Sequence, residues 1–155
     1  MYTVETDSLS DHLKAIANWL AGRELTSNLA YELANEFPPL GDVFDAVERN
    51  AISAIDAGRI GKSADSSTVY ARLFEPGEPT RGFSIDIVKL TNVVGGRHVH
   101  PRGEVDMIIP LSPGARFNNH EKGWLTLPPG SAHRPIARGG SVIVIYFLPG
   151  GEMRF

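Results

Sequence analysis

The sequence predicts a mainly β fold, a single antiparallel jelly-roll β-barrel preceded by an N-terminal helical segment. Three observations support this prediction. Apolar residues recur at helical spacing up to about residue 60, short alternating runs separated by turn residues follow from residue 68, and 155 residues suffice for one domain. We therefore expect residues 1–60 to pack as helices on a barrel formed by residues 61–155.

The first 60 residues contain three amphipathic helical patterns, at about residues 8–22, 27–36 and 42–57. The first carries its apolar stripe on Leu9, Leu13, Ile16, Ala17 and Leu20. The second is ended by two prolines and the third by a glycine. No recognisable set of catalytic residues occurs in them, so we expect the helices to pack on the outside of the barrel or on a partner subunit.

A small polar connector at residues 61–67 leads into the strand patterns. Residues 68–74 alternate, which predicts that Tyr70, Arg72 and Phe74 share one face of a strand. The other predicted strands cover residues 81–90, 98–100, 104–111, 115–118, 123–127, 133–137 and 142–148. The last is a continuous apolar run, which favours burial on both faces.

One short stretch combines two histidines and a glutamate. His98 and His100 are two apart and so share a face of a strand, and Glu104 returns on the next strand after a Pro-Arg-Gly turn. A second turn, Pro-Pro-Gly-Ser-Ala, leads to His133. Three imidazoles and one carboxylate form a site suited to iron, manganese, nickel, cobalt or zinc.

Two further side chains are candidates for chemistry. Asp106 lies two residues beyond Glu104 and should point the same way, which makes it a candidate general acid or base. A salt bridge to an inward arginine is the alternative for Asp106. Arg72 is our first choice for binding a substrate carboxylate, because a guanidinium stays charged when desolvated and an aromatic face lies beside it.

Composition narrows the class of protein. The 42% hydrophobic and 21% charged residues are typical of a soluble globular protein, and the net charge of −3 gives no attraction for nucleic acid or an anionic membrane. Cysteine is absent, which excludes disulfides and thiolate ligands. The acidic N-terminus lacks the features of a signal peptide, and no apolar run reaches membrane-spanning length. We expect a cytoplasmic protein.

The spacing of these residues resembles the two motifs of the cupin superfamily. In that comparison His98, His100 and Glu104 correspond to the first motif, and Pro128, Gly130 and His133 to the second. The resemblance implies a divalent metal held by the three histidines and Glu104. Because cupins commonly dimerise, it also implies a homodimer.

Over nearly its whole length the chain resembles the small 4-hydroxylaminobenzoate lyase family. The similarity includes Arg59-Ile60-Gly61-Lys62, the strand at residues 69–74, and both metal motifs. It implies conversion of 4-hydroxylaminobenzoate and water into 3,4-dihydroxybenzoate (protocatechuate) and ammonia.

With that substrate, Asp106 and Glu104 would be the catalytic residues, Arg72 would bind the small aromatic carboxylate, and Tyr70 or Phe74 would lie against the ring. Two alternatives stay open at this point. One is a dioxygenase acting on a small aromatic or dicarbonyl compound, and the other is a non-catalytic cupin that binds a small molecule.

Overall fold

Three α-helices precede nine β-strands in the part of the chain that the structure, a computed structural model, describes. That part is residues 4–155, and the side-chain surroundings of residues 4–7 and 64 lie outside the description. The helices are α1 (Val4–Leu20), α2 (Leu29–Glu36) and α3 (Asp42–Asp56). The strands are β1 (Lys62–Asp65), β2 (Thr68–Phe74), β3 (Phe83–Val94), β4 (His98–His100), β5 (Glu104–Pro110), β6 (Arg116–Phe117), β7 (Gly123–Leu127), β8 (Ser131–His133) and β9 (Ile136–Pro149). Among the described residues, no helix is long and apolar enough to span a membrane.

The helices form where the apolar spacing predicts them. All five stripe residues of α1 are buried, as are Phe44, Val47, Ala51 and Ala54 of α3. These positions recur three or four residues apart, which places them on one side of a helix. The helix α1 begins at Val4, four residues before the predicted start, and ends just before Gly22, whose φ of 80° stops a helix.

The strands form an antiparallel barrel built around β9. The strand order of the main sheet is β1-β2-β3-β9-β5-β7, β6 also pairs with β9, and β4 pairs with β8 in a separate small sheet. All of these pairs are antiparallel. The predicted jelly-roll architecture with an N-terminal helical segment is confirmed.

The two faces of the main sheet have different partners. On β3, β5 and β9, alternate residues such as Ile87, Met107 and Ile145 are buried in one cluster with the apolar stripes of the helices. The residues between them, including Leu90, Ile108 and Val144, form a second cluster inside the barrel. The helices therefore cover the outer face of the sheet, and side chains of the barrel itself fill its interior.

Besides the early start of α1 and the ends of β3, which runs over Phe83–Val94 and not 81–90, two stretches differ from the prediction. Residues 62–65, expected as a connector, form β1, because they pair with the start of β2. The expected strands at 133–137 and 142–148 are also wrong in extent: His133 belongs to β8, and Ile136–Pro149 is one strand. Gly139 and Gly140 have φ of 78° and 133° and lie where the register of β9 against β3 shifts. This position falls in the gap between the two expected strands.

Candidate metal centre

Two short strands bring the three histidines together. The register of β4 and β8 places His98 opposite His133 and His100 opposite Ser131. His98 and His100 lie on one face of β4 because side chains two apart point the same way. The centroids of the three imidazole rings consequently lie 5.0, 5.1 and 4.8 Å apart.

The turn between β4 and β5 adds the carboxylate. Gly103 closes it by donating its backbone N–H to the carbonyl oxygen of His100 at 3.1 Å. A Cβ at Gly103 would lie 2.8 Å from the carbonyl oxygen of Leu127, and its φ is 89°, so the turn requires glycine. Glu104 then starts β5 with Oε1 3.1 Å from Nε2 of His100 and Oε2 3.7 Å from Nε2 of His133.

The four side chains form a compact donor set. One donor atom from each lies within 4.8 Å of the others. His98, His100 and Glu104 are buried, and the side chain of His133 is 12% exposed. Within the described residues, Nε2 of each histidine and both oxygens of Glu104 lack a hydrogen-bond partner.

Unpartnered buried polar atoms are costly, and a bound cation would satisfy all of them together. Three imidazole nitrogens and a carboxylate oxygen suit a first-row divalent metal with positions left for water or substrate. The residues present therefore fit the predicted metal centre, and they do not select one metal.

Burial sets the protonation of these ligands. It lowers the pKa of His98, and it lowers the pKa of His133 to about 4, in both cases against the opposing attraction of Glu104. Burial alone would raise the pKa of Glu104, but its contacts with His100 and Asp106 hold that pKa below its usual value. Near neutral pH the two histidines are uncharged and Glu104 is ionised, which are the forms that bind a metal.

Asn118 contacts the Nδ1 side of the His133 ring. Its side-chain oxygen accepts the backbone N–H of Ile136 at 2.8 Å, and its Nδ2 donates to the carbonyl oxygen of Arg134 at 2.9 Å. The same Nδ2 lies 3.0 Å from Nδ1 of His133. In this arrangement Nδ1 accepts the hydrogen bond and the ring proton of neutral His133 is on Nε2. Binding a metal through Nε2 would require the other tautomer, in which Nδ1 carries the proton and no longer accepts from Asn118.

Asp106 points into the barrel as predicted. It is fully buried beside Glu104, and neither of its oxygens has a hydrogen-bond partner among the described residues, so the alternative of a salt bridge to an inward arginine is wrong there. Burial, and then the charge of Glu104, raise the pKa of Asp106 well above its usual value. A protonated Asp106 beside an ionised Glu104 avoids two adjacent negative charges.

A cavity of about 500 Å³ reaches the cluster at His98. Most of its wall is apolar, and Val88, Leu90, Leu148 and Met153 contribute to it, while Arg72 and Asp86 supply charged groups. The ring of Phe155 lies 5.8 Å from that of His98 and forms part of the same wall. The volume and the largely apolar lining suit a small aromatic molecule.

Arg72 lines this cavity as predicted, but it is already paired. Its Nε and Nη2 donate to the two oxygens of Asp86 at 2.8 and 3.2 Å, and its Nη1 donates to Glu75 at 3.1 Å. Hydrogen bonding to Asp86 raises the pKa of Arg72, so its charge is permanent. Three of its five N–H groups are thus engaged, and two remain for a ligand.

The prediction that Phe74 shares a face with Tyr70 and Arg72 is wrong. The register of β2 against β3 shifts between Arg72, opposite Asp86, and Phe74, opposite Ile85. This bulge turns Phe74 to the outer face, where it packs against the cluster of the helices. Tyr70, before the bulge, lines the cavity, and burial raises its pKa.

Comparisons with known proteins give the family. The sequence model of the PnbB 4-hydroxylaminobenzoate lyase family matches residues 11–155. A relative named 4-hydroxylaminobenzoate lyase, from Nocardioides sp. (strain LMS-CY), is 33% identical over 162 aligned positions that cover 96% of this chain and 91% of the relative.

The chain belongs to the 4-hydroxylaminobenzoate lyase family.

A second member of the 4-hydroxylaminobenzoate lyase family, from Pseudomonas putida, is 28% identical over 83% of both chains. Among solved structures, an RmlC-like cupin protein from Ralstonia eutropha JMP134 matches 58% of this chain and 60% of its own length, with a TM-score of 0.42 and 18% identity.

Among the residues that line the cavity, sequence reasoning missed two buried side chains that carry polar groups. Asp86 and Tyr146 are buried on the inner faces of β3 and β9. Asp86 lies in an alternating strand, so its inward position could have been found from its spacing relative to Leu90. Tyr146 lies in a uniformly apolar run, where only the polar hydroxyl group distinguishes it from its neighbours.

Proposed function

We propose that this protein converts 4-hydroxylaminobenzoate and water into 3,4-dihydroxybenzoate and ammonia. Membership of the 4-hydroxylaminobenzoate lyase family supports the substrate. The observation that carries the proposal is the set of unpartnered buried donors at one end of a largely apolar cavity. A flat aromatic acid can enter such a cavity with its polar substituent toward the donors and its carboxylate toward Arg72.

His98, His100, Glu104 and His133 would hold a divalent transition metal. When bound, such a metal supplies Lewis acidity toward an oxygen or nitrogen of the substrate. The chain provides the three imidazoles and the carboxylate, and the burial of three of these side chains excludes bulk water from that side.

Arg72 would orient the substrate. Its remaining N–H groups can bind a carboxylate, and Asp86 holds the guanidinium in place. Asp86 and Glu75 also reduce the local positive charge, so we expect Arg72 to select the orientation more than to supply a large binding energy. The Tyr70 ring, which lines the same cavity, would lie against the substrate ring.

Asp106 would move protons. The N–O bond breaks when the hydroxyl oxygen receives a proton and leaves as water, and a protonated Asp106 beside the donor cluster is placed to give that proton. A water molecule then adds to the ring carbon beside the nitrogen and loses a proton, which the Asp106 carboxylate takes. A second water molecule hydrolyses the resulting C=N bond and releases ammonia, so the net reaction consumes one water.

The test is anaerobic incubation of the metal-analysed protein with 4-hydroxylaminobenzoate, with 3,4-dihydroxybenzoate and ammonia measured together. We expect the two products in equal amounts without oxygen. The His98→Ala variant is the matched control, and it should lose both bound metal and turnover. Product formation only in the presence of oxygen would indicate a dioxygenase, and binding without any product would indicate a binding protein; either result overturns the proposal.

A further inference from the structure

Four polar side chains form a row across the inner face of the barrel. The strand registers place Arg72 opposite Asp86, Asp86 opposite Tyr146, and Tyr146 opposite Asp106. The row therefore crosses β2, β3, β9 and β5 in order. It begins at the guanidinium in the cavity and ends at the carboxyl group beside Glu104 in the donor cluster.

Tyr146 is the member of this row without an assigned role. It is 6% exposed and lies in the inner cluster between Val144 and Leu148, with the ring of Phe117 6.3 Å away. A buried tyrosine normally places its hydroxyl group on a hydrogen-bond partner. No such bond from Tyr146 is present among the described residues, and Tyr146 lines the cavity that also reaches His98.

The position of Tyr146 in the row matches one end of the proposed substrate. Two strand spacings, about 10 Å, separate β2 from β9, which is comparable to the length of a para-substituted benzoate. A substrate whose carboxylate lies at Arg72 would then bring its para substituent toward Tyr146 and Asp106. Burial raises the pKa of Tyr146 well above its usual value, so the phenol stays protonated and can donate a hydrogen bond.

We propose that Tyr146 contacts the substrate and donates a hydrogen bond from its hydroxyl group to the oxygen of the hydroxylamino group. This inference rests on the proposed function for the identity of the substrate. The phenol would fix the direction of the N–O bond and hold the departing oxygen in place while it receives the proton from Asp106. It would act beside Asp106, which is a separate group with a separate role.

The experiment compares two inert ligands in two proteins. The ligand 4-(hydroxymethyl)benzoate has a hydroxyl group where the substrate has one, and 4-ethylbenzoate has the same shape without it. Dissociation constants of both are measured for the wild type and for Tyr146→Phe. We expect the wild type to prefer the hydroxyl-bearing ligand about two- to tenfold more strongly than Tyr146→Phe does.

Turnover is measured on the same preparations. We expect kcat of Tyr146→Phe to fall about a hundredfold, with metal content and thermal midpoint unchanged. Tyr31→Phe, at a side chain on α2 that is 74% exposed, is the control for the loss of a phenol and should match the wild type in every measurement.

The outcomes separate this inference from the proposed function. If the wild type turns over the substrate and Tyr146→Phe keeps its kcat and its ligand preference, the role of Tyr146 is refuted and the lyase activity stands. If the wild type itself produces no 3,4-dihydroxybenzoate or ammonia, the proposed function is refuted, and the inference about the hydroxylamino oxygen is lost with it.

Discussion

Arg72 forms ion pairs with two carboxylates, those of Asp86 and Glu75. These partners determine how its substitution should affect substrate binding. Asp86 is 6% exposed, so taking away its partner leaves a buried negative charge in the cavity wall. That charge would repel the carboxylate of a substrate as well as fail to bind it. The loss on substitution therefore combines a missing attraction with a new repulsion.

For Arg72→Ala we predict that KM for 4-hydroxylaminobenzoate rises about tenfold or more while metal content stays unchanged. Steady-state kinetics and metal analysis on the same preparation check this. Arg49→Ala is the control, since Arg49 is an exposed residue of α3 that pairs only with Asp45 among the described residues. An unchanged KM in Arg72→Ala would rule out its role in carboxylate binding.

At the scale of single residues, the sequence was sufficient to predict the donor set but not to predict all of the side chains that line the cavity. His98, His100 and Glu104 come from one short motif, so their relative placement depends only on strand alternation and a glycine turn. The face of Phe74 depends on a bulge in β2, which alternation alone does not predict. The inward position of Tyr146 depends on which face of an apolar strand becomes the interior.

At the scale of elements, the helices are fastened to the sheet by specific contacts. The indole N–H of Trp124 in β7 donates to the carbonyl oxygen of Phe37 at 2.9 Å, and the Phe44 ring of α3 packs edge-on against Trp124 at 5.7 Å. Thr126 donates to the carbonyl oxygen of Thr26 at 2.7 Å. These contacts involve the outer face, whereas the donor cluster lies inside the barrel.

Leu13 in α1 should therefore matter for stability and little for metal binding. It is fully buried in the cluster between the helices and the sheet. We predict that Leu13→Ala lowers the free energy of unfolding by about 3 kcal/mol and the thermal midpoint by roughly 10 °C. Denaturant and thermal unfolding measure this.

Leu40→Ala, at a side chain that is 92% exposed, should be within about 0.5 kcal/mol of the wild type. Metal stoichiometry should remain the same in both variants. Loss of metal in Leu13→Ala at a temperature where it is folded would mean that the helices help to form the site.

The sequence predicted which segments are helices and strands more accurately than it predicted where each one begins and ends. Helical spacing identified all three described helices because each buries one stripe against the sheet. The strand β1 was missed because its four residues, Lys62–Asp65, carry no apolar alternation and are held by pairing with β2. Pairing of this kind is a tertiary effect that local composition does not contain.

At the scale of the whole molecule, the donor cluster should link metal binding to stability. The imidazoles and Glu104 come from β4, β5 and β8, so a bound metal would join three strands. Ligands that bind only the folded state stabilise it by mass action.

We predict that Zn²⁺ at about 100 times its dissociation constant adds about 2.7 kcal/mol to the free energy of unfolding and raises the thermal midpoint by roughly 5–10 °C relative to chelated protein. Thermal unfolding with and without chelator measures the shift. In the His98→Ala variant, adding chelator should change the thermal midpoint little. Equal midpoints for chelated and Zn²⁺-treated wild type would contradict a metal site at these residues.

Assembly is the other question at this scale. The homodimer remains a prediction, as does the cytoplasmic location, since both concern the surroundings of the chain and not its fold. Sedimentation of the purified protein will decide the first.

The position of β9 in the sheet has a consequence for biosynthesis. This strand pairs with β3, β5 and β6, yet it follows all of them in the sequence. While the ribosome is still making the preceding residues, β3 and β5 lack their shared neighbour and the barrel stays open. Helices α1 to α3 can form early, but closure has to wait until about residue 149 has emerged. Of the strands that carry the donor cluster, β5 is the one that pairs with β9, so a metal bound there would reach its final surroundings only after the barrel closes.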